Sequence, residues 1–266
     1  MTTISAKVIR RSVNPAGNII STVQLRYPRF IHAELMTHRM FSRNAQSNRA
    51  IPIERVVEDV MHDTAMPIHW GSNKAGMQAG EEIQETYWAE QTWLNARDAA
   101  VEMALDLHSQ GLHKQVANRL LEPFQHINVL VTATEWDNFF NLRDHPDAEP
   151  HIQLLAKRIK KAFEENAPQP VYTLDWHIPY VPDDWKAIGL TWNEVLMVSA
   201  ARCARVSYLT HDQRETTIEE DLKLATRLLE SKHMSPFEHV AQAIYGDGFY
   251  ANFKGWKSYR FTLESD

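Results

Sequence analysis

Thr37-His38-Arg39-Met40-Phe41-Ser42-Arg43-Asn44-Ala45-Gln46-Ser47-Asn48-Arg49 holds three arginines, one histidine, two serines, two asparagines and one glutamine, and no acid. Neither an amphipathic helix nor a strand needs that composition to bury a face. Most of these polar side chains are hydrogen-bond donors backed by positive charge, as a site for an anion such as phosphate requires. Arginine suits the task because its planar fork grips a phosphate or a polar base edge with two parallel bonds. A solvated basic loop has the same composition, so residue order has to separate the two.

Upstream, Ser5 to Arg11 and Ile19 to Tyr27 are rich in β-formers and flank Asn14-Pro15-Ala16-Gly17-Asn18. Proline and glycine between such runs predict a hairpin, with Pro28 ending the second strand. Phe30 to Phe41 reads as a helix, with Phe30, Ile31, Leu35 and Met36 apolar and Glu34 and Arg39 polar. The quoted stretch is expected to begin on that helix and to end in a loop at Ala50-Ile51-Pro52. A site on a loop held by a rigid element is a common arrangement.

Downstream, residues 51–80 carry Pro52, Pro67, Gly71, Gly76 and Gly80 and read as a long irregular loop of the kind that binds or covers ligands. His69 and Trp70 are suited to flank a planar ring or simply to pack the loop. Glu81 to Gln110 is the longest helical pattern, with Trp88, Trp93, Ala96, Ala100, Met103, Ala104 and Leu107 at helical spacing and Gly111 as its stop. The tryptophans read as core or subunit packing. Leu112 to Leu121 predicts a second helix and Ile127 to Thr134 a buried strand. His151 to Asn166 predicts a helix whose Lys157, Arg158, Lys160 and Lys161 form a solvated face. Residues 171–195, rich in Pro, Trp and Asp, read as a linker without chemistry. Thr217 and Glu220 form a capping box for a helix from Ile218 to Ser231, with Ile218, Leu222, Ala225 and Leu229 as its buried stripe.

Composition sets limits. The 266 residues are 44% hydrophobic and 23% charged, ordinary for a folded protein with a real core. A net charge of -6 argues against a domain that coats nucleic acid. The lone Cys203 allows no internal disulfide and reads as a buried small hydrophobe. No apolar signal region opens the sequence and no run reaches membrane-span length, so a cytoplasmic protein with no membrane partner is expected. No metal-binding spacing stands out among the 13 histidines. Gly246-Asp247-Gly248-Phe249-Tyr250-Ala251 matches G-x-G-x-x-A formally, but the chain ends too soon afterwards for a βαβ unit. Asn252 to Arg260 is a basic-aromatic segment, either a cover for a flat ligand or an exposed strand.

His38-Arg39-x-x-Ser42-x-Asn44-x-x-Ser47-x-Arg49 resembles the signature R-H-R-x-x-S-x-N-x-x-S-x-R of the flavin-dependent thymidylate synthases, the ThyX family, with Thr37 in place of the first arginine. Two further pieces carry the resemblance. Ala204-Arg205-Val206-Ser207 precedes a helix, and His233-Met234-Ser235-Pro236-Phe237-Glu238-His239 follows it, matching A-R-V-S and H-x-[ST]-P-F-E-H of the family. Residues 115–123 resemble a nucleotide-binding segment with a one-residue offset, leaving Asn118 and Arg119 as candidates. Residues 135–143 resemble a segment ending on leucine-arginine, which points to Arg143 for the nucleotide and Asn138 for the flavin. Two more flavin positions fall on Thr132 and Thr134, which do not match the family's residues.

The segment order differs from the family's. The A-R-V-S and P-F-E-H pieces stand after the arginine-histidine motif, so the chain looks circularly permuted, with the family's C-terminal part at about 19–168 and its N-terminal part at about 196–245 of a single domain. The strand joining the two is then represented twice, at Val240 to Tyr245 and Ile19 to Tyr27, which should be neighbours in space.

The resemblance implies an α/β (α+β) fold with a mainly antiparallel sheet flanked by helices. It implies a homotetramer with shared sites and reductive methylation of dUMP to dTMP, with FAD, NADPH and methylenetetrahydrofolate. The partners would be a deoxynucleotide and a folate, with no nucleic acid. Arg49, Ser47 and Arg119 would hold the phosphate, and Arg143 would stabilise charge on the pyrimidine, which makes Arg143, Arg49 and Ser47 the catalytic candidates. His38, Arg39, Ser42, Asn44, Asn138, Ser207, His233, Ser235 and Glu238 would hold the flavin. Glu34, Thr37, Gln46 and Asn118 complete the substrate set. Thr37 loses an arginine for which Arg43 is a substitute, Ala45 stands where glutamate is common, and Glu34 where glutamine is usual. These departures raise C5 methylation or hydroxymethylation of dCMP or dUMP, and a non-catalytic nucleotide-binding relative, as alternatives.

Overall fold

The computed structural model describes residues 4–206 and 216–265. The predicted hairpin forms: β1 (Ser5–Val13) and β2 (Ile19–Pro28) pair antiparallel from Ser5↔Arg26 to Val13↔Ile19. Asn14 shapes the turn, its Oδ1 accepting from the N–H groups of Ala16 and Asn18 at 3.0 and 2.9 Å.

After β2 come a 3-10 turn, Arg29–Ile31, and a short helix, α1 (His32–Met36). The helix expected over Phe30 to Phe41 therefore stops at Met36. Arg43 gives the reason: its Nη1 donates to the carbonyls of Met36 and His38 at 2.9 and 3.3 Å and satisfies acceptors that a helix end leaves free. The chain then extends into β3 (Ser42–Ala45), so the centre of Thr37–Arg49 is a strand rather than part of a helix or loop.

The irregular reading of residues 51–80 is also corrected. Ile53, Val56 and Val60 are buried at helical spacing, and they make α2 (Ile53–His62). α3 (Thr86–Ser109) ends at Gly111, which takes φ 87°. Trp93 packs on the core formed with α2, whereas Trp88 is exposed. The helix predicted to Leu121 is instead α4 (Lys114–Ala117) followed by a 3-10 segment, Asn118–Phe124; Pro123 has no N–H for a continuing helix. β4 (His126–Ala133), α5 (Asp137–Arg143), α6 (Pro150–Glu165) and β5 (Gln169–Pro170) follow, and the basic residues of α6 face solvent as expected.

The five strands run β3-β4-β2-β1-β5, antiparallel except for β1 with β5. Val23, Leu25 and Tyr27 of β2 join Ile127, Val129 and Val131 of β4 in a core with Phe139 of α5 and Leu155 of α6. The other face turns Leu130 toward Cys203, which is fully buried.

Residues 171–195 are not a linker. They form β6 (Trp176–His177) and a 3-10 turn, Trp185–Ile188, and bury His177, Ile178, Val181 and Trp185. α7 (Trp192–Arg205) and α8 (Ile218–Glu230) pack as a pair. The predicted capping box of Thr217 and Glu220 is present, but the buried face of α8 is Asp221, Leu224, Ala225 and Leu228, rotated from the predicted stripe. Asp221 turns it inward, accepting from Arg202 Nε and Arg205 Nε, each at 2.8 Å.

A 3-10 turn, Ser235–Glu238, leads to β7 (Ala241–Ala243), β8 (Phe249–Tyr250), β9 (Phe253–Lys254), β10 (Trp256–Ser258) and α9 (Tyr259–Ser265). Ile20 shares an apolar cluster with Ala241, Ala243, Phe253 and Trp256, so the two stretches expected to be neighbours do pack together. They belong to different sheets, because β7 pairs with β10 and β6. The basic-aromatic segment is no exposed strand: Phe253 and Trp256 are buried.

Candidate active site

β3 sets the geometry. Successive strand residues point to opposite faces, so Ser42 and Asn44 face one way and Arg43 and Ala45 the other. Asn44 Nδ2 donates to the Cys203 carbonyl at 2.9 Å, and Ser235 Oγ donates to Asn44 Oδ1 at 3.5 Å. The end of α7 and the Ser235–Glu238 turn are thus seated on this strand. The cleft that opens there, of about 540 Å³, is lined by Asn44, Ser47, Arg49, His113, Gln115, Lys232, His233 and Ser235, with Leu228, Met234 and Pro236 as its apolar part. None of its lining residues is a carboxylate.

The turn after β3 is held from below. Asn118, fully buried, donates through Nδ2 to the carbonyls of Asn48 and Ile51 at 2.9 and 3.1 Å, and Lys114 Nζ donates to the Ala50 carbonyl at 3.1 Å. Gln46 Oε1 accepts from the N–H and Nδ2 of Asn128. Of the two offset candidates, Asn118 is therefore a brace, while Arg119 is 64% exposed and lines a neighbouring hollow of about 260 Å³ with Gln46, Ser47, Arg49 and His32.

Arg143 closes a second cluster. Its Nε donates to His38 Nε2 at 3.0 Å, Nη1 to Glu34 Oε2 at 3.2 Å, and Nη2 to Thr37 Oγ1 at 3.3 Å. Burial, then the Arg143 and Arg43 charges, lower His38 to a pKa of about 4, so its imidazole is neutral and accepts. Burial, with Glu149 nearby, raises the Glu34 carboxyl above its ordinary range against the pull of Arg143. Arg43 does not replace the arginine missing at Thr37, since its guanidinium caps α1.

The remaining candidates lie elsewhere. Ser42 and Glu238 line a third hollow of about 230 Å³, where Arg260 Nη1 donates to Glu238 Oε1 at 2.7 Å. Arg39 and Asn138 are exposed, and Ser207 lies outside the described residues. One chain thus sorts the expected residues into three groups and does not merge them.

Sequence reasoning missed His113, Gln115 and Lys232 as cleft residues; Lys232 stands beside the matched His233 and was the legible one. It also missed a buried polar chain. Ser12 Oγ bonds His177 Nδ1 at 2.9 Å, His177 Nε2 bonds Thr22 Oγ1 at 2.8 Å, Thr22 bonds Thr132 Oγ1 at 2.6 Å, and Thr132 bonds His239 Nδ1 at 2.8 Å. The chain ties the five-stranded sheet and the sheet of β6, β7 and β10 to the Pro-Phe-Glu-His turn. Thr132, one of the two positions where the sequence departs from the resembled family, is spent within it. Among the described residues no group of three or more His, Cys, Asp and Glu could hold a metal ion, and no helix is long and apolar enough to cross a membrane.

The sequence model of the thymidylate synthase complementing protein (Thy1) family matches residues 10–169. The fold is similar to that of a UMP/dUMP methylase, PolB, from Streptomyces cacaoi bound with 5-Br dUMP, at a TM-score of 0.52 and 16% identity over 62% of this chain and 91% of that one. The same protein bound with 5-Br UMP gives a TM-score of 0.48 and 15% identity over 62% of this chain and 90% of that one. None of the curated proteins compared with the chain matches it in sequence.

Proposed function

The chain belongs to the thymidylate synthase complementing protein family, and from that premise we propose that it is a methyltransferase acting at C5 of dUMP, with methylenetetrahydrofolate as carbon donor and FAD and NADPH as redox partners. The acid-free cleft beside β3 carries the reading, because it offers Arg49, Lys232, His113 and His233 to an anion and Leu228, Met234 and Pro236 to a flat ring. That donor set fits a nucleotide or a flavin dinucleotide, each a planar ring with phosphate attached. Similarity in fold to a UMP/dUMP methylase supports a uridine nucleotide as the substrate class.

A flavin held there would supply hydride-transfer chemistry, drawing its electrons from NADPH, for reduction of the transferred one-carbon unit to a methyl group. The protein's own side chains bind and orient. Arg49, Ser47 and Arg119 line the two adjoining hollows and hold the substrate phosphate. Arg143 donates to a pyrimidine carbonyl as negative charge gathers there and C5 becomes nucleophilic. Neutral His38 fixes the guanidinium through Nε. Asn44, His233 and Ser235 in the cleft, and Ser42 and Glu238 in the third hollow, would hold the flavin. The separation into three groups within one chain supports a homotetramer in which subunits complete one another's sites. The packing of Ile20 against Ala241 and Ala243 supports a circularly permuted segment order.

A second reading of the substrate rests on Glu34. Its carboxylate, held at 3.2 Å from Arg143, is an acceptor suited to the exocyclic amine of cytosine. Under it dCMP is the substrate, and the product carries methyl or hydroxymethyl. The test is an anaerobic absorbance titration of purified protein with FAD, then NADPH, then dUMP or dCMP. Bleaching of bound flavin by NADPH, at a rate that one nucleotide changes, is the expected result. Protein that stays colourless with added FAD overturns the flavin-dependent reading.

A further inference from the structure

Two helices in this protein end in the same backbone device with different residues at its critical position. After α3, Gly111 N–H donates to the His108 carbonyl at 2.9 Å and Leu112 N–H to the Leu107 carbonyl at 3.0 Å. After α8, Lys232 N–H donates to the Leu229 carbonyl at 3.0 Å and His233 N–H to the Leu228 carbonyl at 2.8 Å. Both are Schellman endings, which require a left-handed residue and favour glycine there. Gly111 takes φ 87° without a Cβ, whereas Lys232 takes φ 56° with one. A Cβ in the left-handed region crowds the following carbonyl, so the lysine is the costlier choice.

The strained lysine lines the acid-free cleft with Arg49, His113, Ser47 and Ser235, and the same ending sets His233 beside it in the lining. A residue held against its backbone preference at a cleft wall suggests a role at that wall. We propose that Lys232 is a phosphate-binding residue, its ammonium neutralising the phosphate of the nucleotide seated in this cleft. The inference rests on the reading of the cleft as a nucleotide site. The phosphate belongs to the substrate or to the flavin, and the experiment separates the two. A lysine beside a helix C-terminus also complements the helix dipole, but that role alone leaves ligand affinity unmoved.

The test uses the full chain as wild type, Lys232→Gly and Lys232→Arg. The measurements are melting temperature and binding of FAD and of dUMP by calorimetry at two salt concentrations. Lys232→Gly is expected to melt higher, by about 2 °C, and to bind one of the two probes about tenfold more weakly, with a flatter salt dependence. Lys232→Arg is expected to bind that probe within about twofold of wild type. Loss with FAD assigns the flavin phosphates, and loss with dUMP assigns the substrate phosphate. Unchanged binding of both probes in Lys232→Gly overturns the inference and leaves the nucleotide site standing. If wild type binds neither probe, the nucleotide reading falls and this one with it.

Discussion

Arg143 Nε donates to His38 Nε2 at 3.0 Å, and that bond ties the turn after α1 to the last residue of α5. His38 is neutral, so the anionic partner of this guanidinium is Glu34, at 3.2 Å from Nη1. Arg143→Ala is expected to lower kcat/KM for the nucleotide by about 10²–10³, the cost of removing one donor from developing charge. His38→Ala should lower it less, since His38 acts through Arg143. Steady-state kinetics on both variants check the order of the two effects.

Glu34 pairs with the same guanidinium, but the pair is partly exposed, at 20% and 37% for the two side chains. Glu34→Gln should therefore change stability by no more than about 1 kcal/mol. Its effect belongs to the substrate: an amide keeps an acceptor for dUMP and removes the anion facing a cytosine amine. The ratio of dUMP to dCMP turnover is expected to rise, and competition between the two nucleotides measures it.

Buried histidines set the acid limit. Burial lowers His177 well below the ordinary value of 6.5, His239 to about 3, and, with nearby arginines, His38 to about 4. The folded state therefore binds fewer protons than the unfolded state between those values and 6.5. Stability is full above about pH 6.5 and is lost as pH falls toward the folded values. Melting temperature should fall steadily from pH 7 to pH 4, and His239→Gln, which keeps a partner for Thr132, should flatten that slope.

Asp221 is fully buried between Arg202, Arg205 and Thr216. Asp221→Asn removes the anion and leaves two arginines facing an amide. A loss of about 3 kcal/mol is expected, the low end for breaking a buried pair because the arginines reach solvent. The same change loosens the end of α7, whose Cys203 carbonyl holds Asn44. Thermal melting and FAD binding of the variant should fall together.

Elements with one dominant local cause were legible before the fold was known. The hairpin was fixed by a Pro-Gly turn between β-rich runs, α3 by its spacing and Gly111, and the start of α8 by its capping box. Where a distant side chain decides, the sequence misled. Arg43 ends α1 early by reaching back to Met36 and His38, and Asp221 rotates α8 by pairing with α7. The candidate site divides the same way. Two matched motifs, far apart in sequence, named Ser47, Arg49, His233 and Ser235, which line one cleft. Asn118 and Arg119 could not be separated until burial showed one as a brace and the other as exposed. His177 was passed over because a histidine in a Pro- and Trp-rich run carries no pattern, and only the fold joins it to Thr22 and Ser12.

The central claim is that this protein replaces hydrogen at C5 of a pyrimidine nucleotide, and release of tritium to water from [5-³H]dUMP tests it most directly. Release is expected only when FAD, NADPH and methylenetetrahydrofolate are all present, with thymidylate formed in equal amount and both lost in Arg143→Ala. Release from [5-³H]dCMP in place of dUMP would transfer the activity to the cytosine nucleotide. Absence of release from both nucleotides, in protein shown to be folded and to bind FAD, would contradict the account.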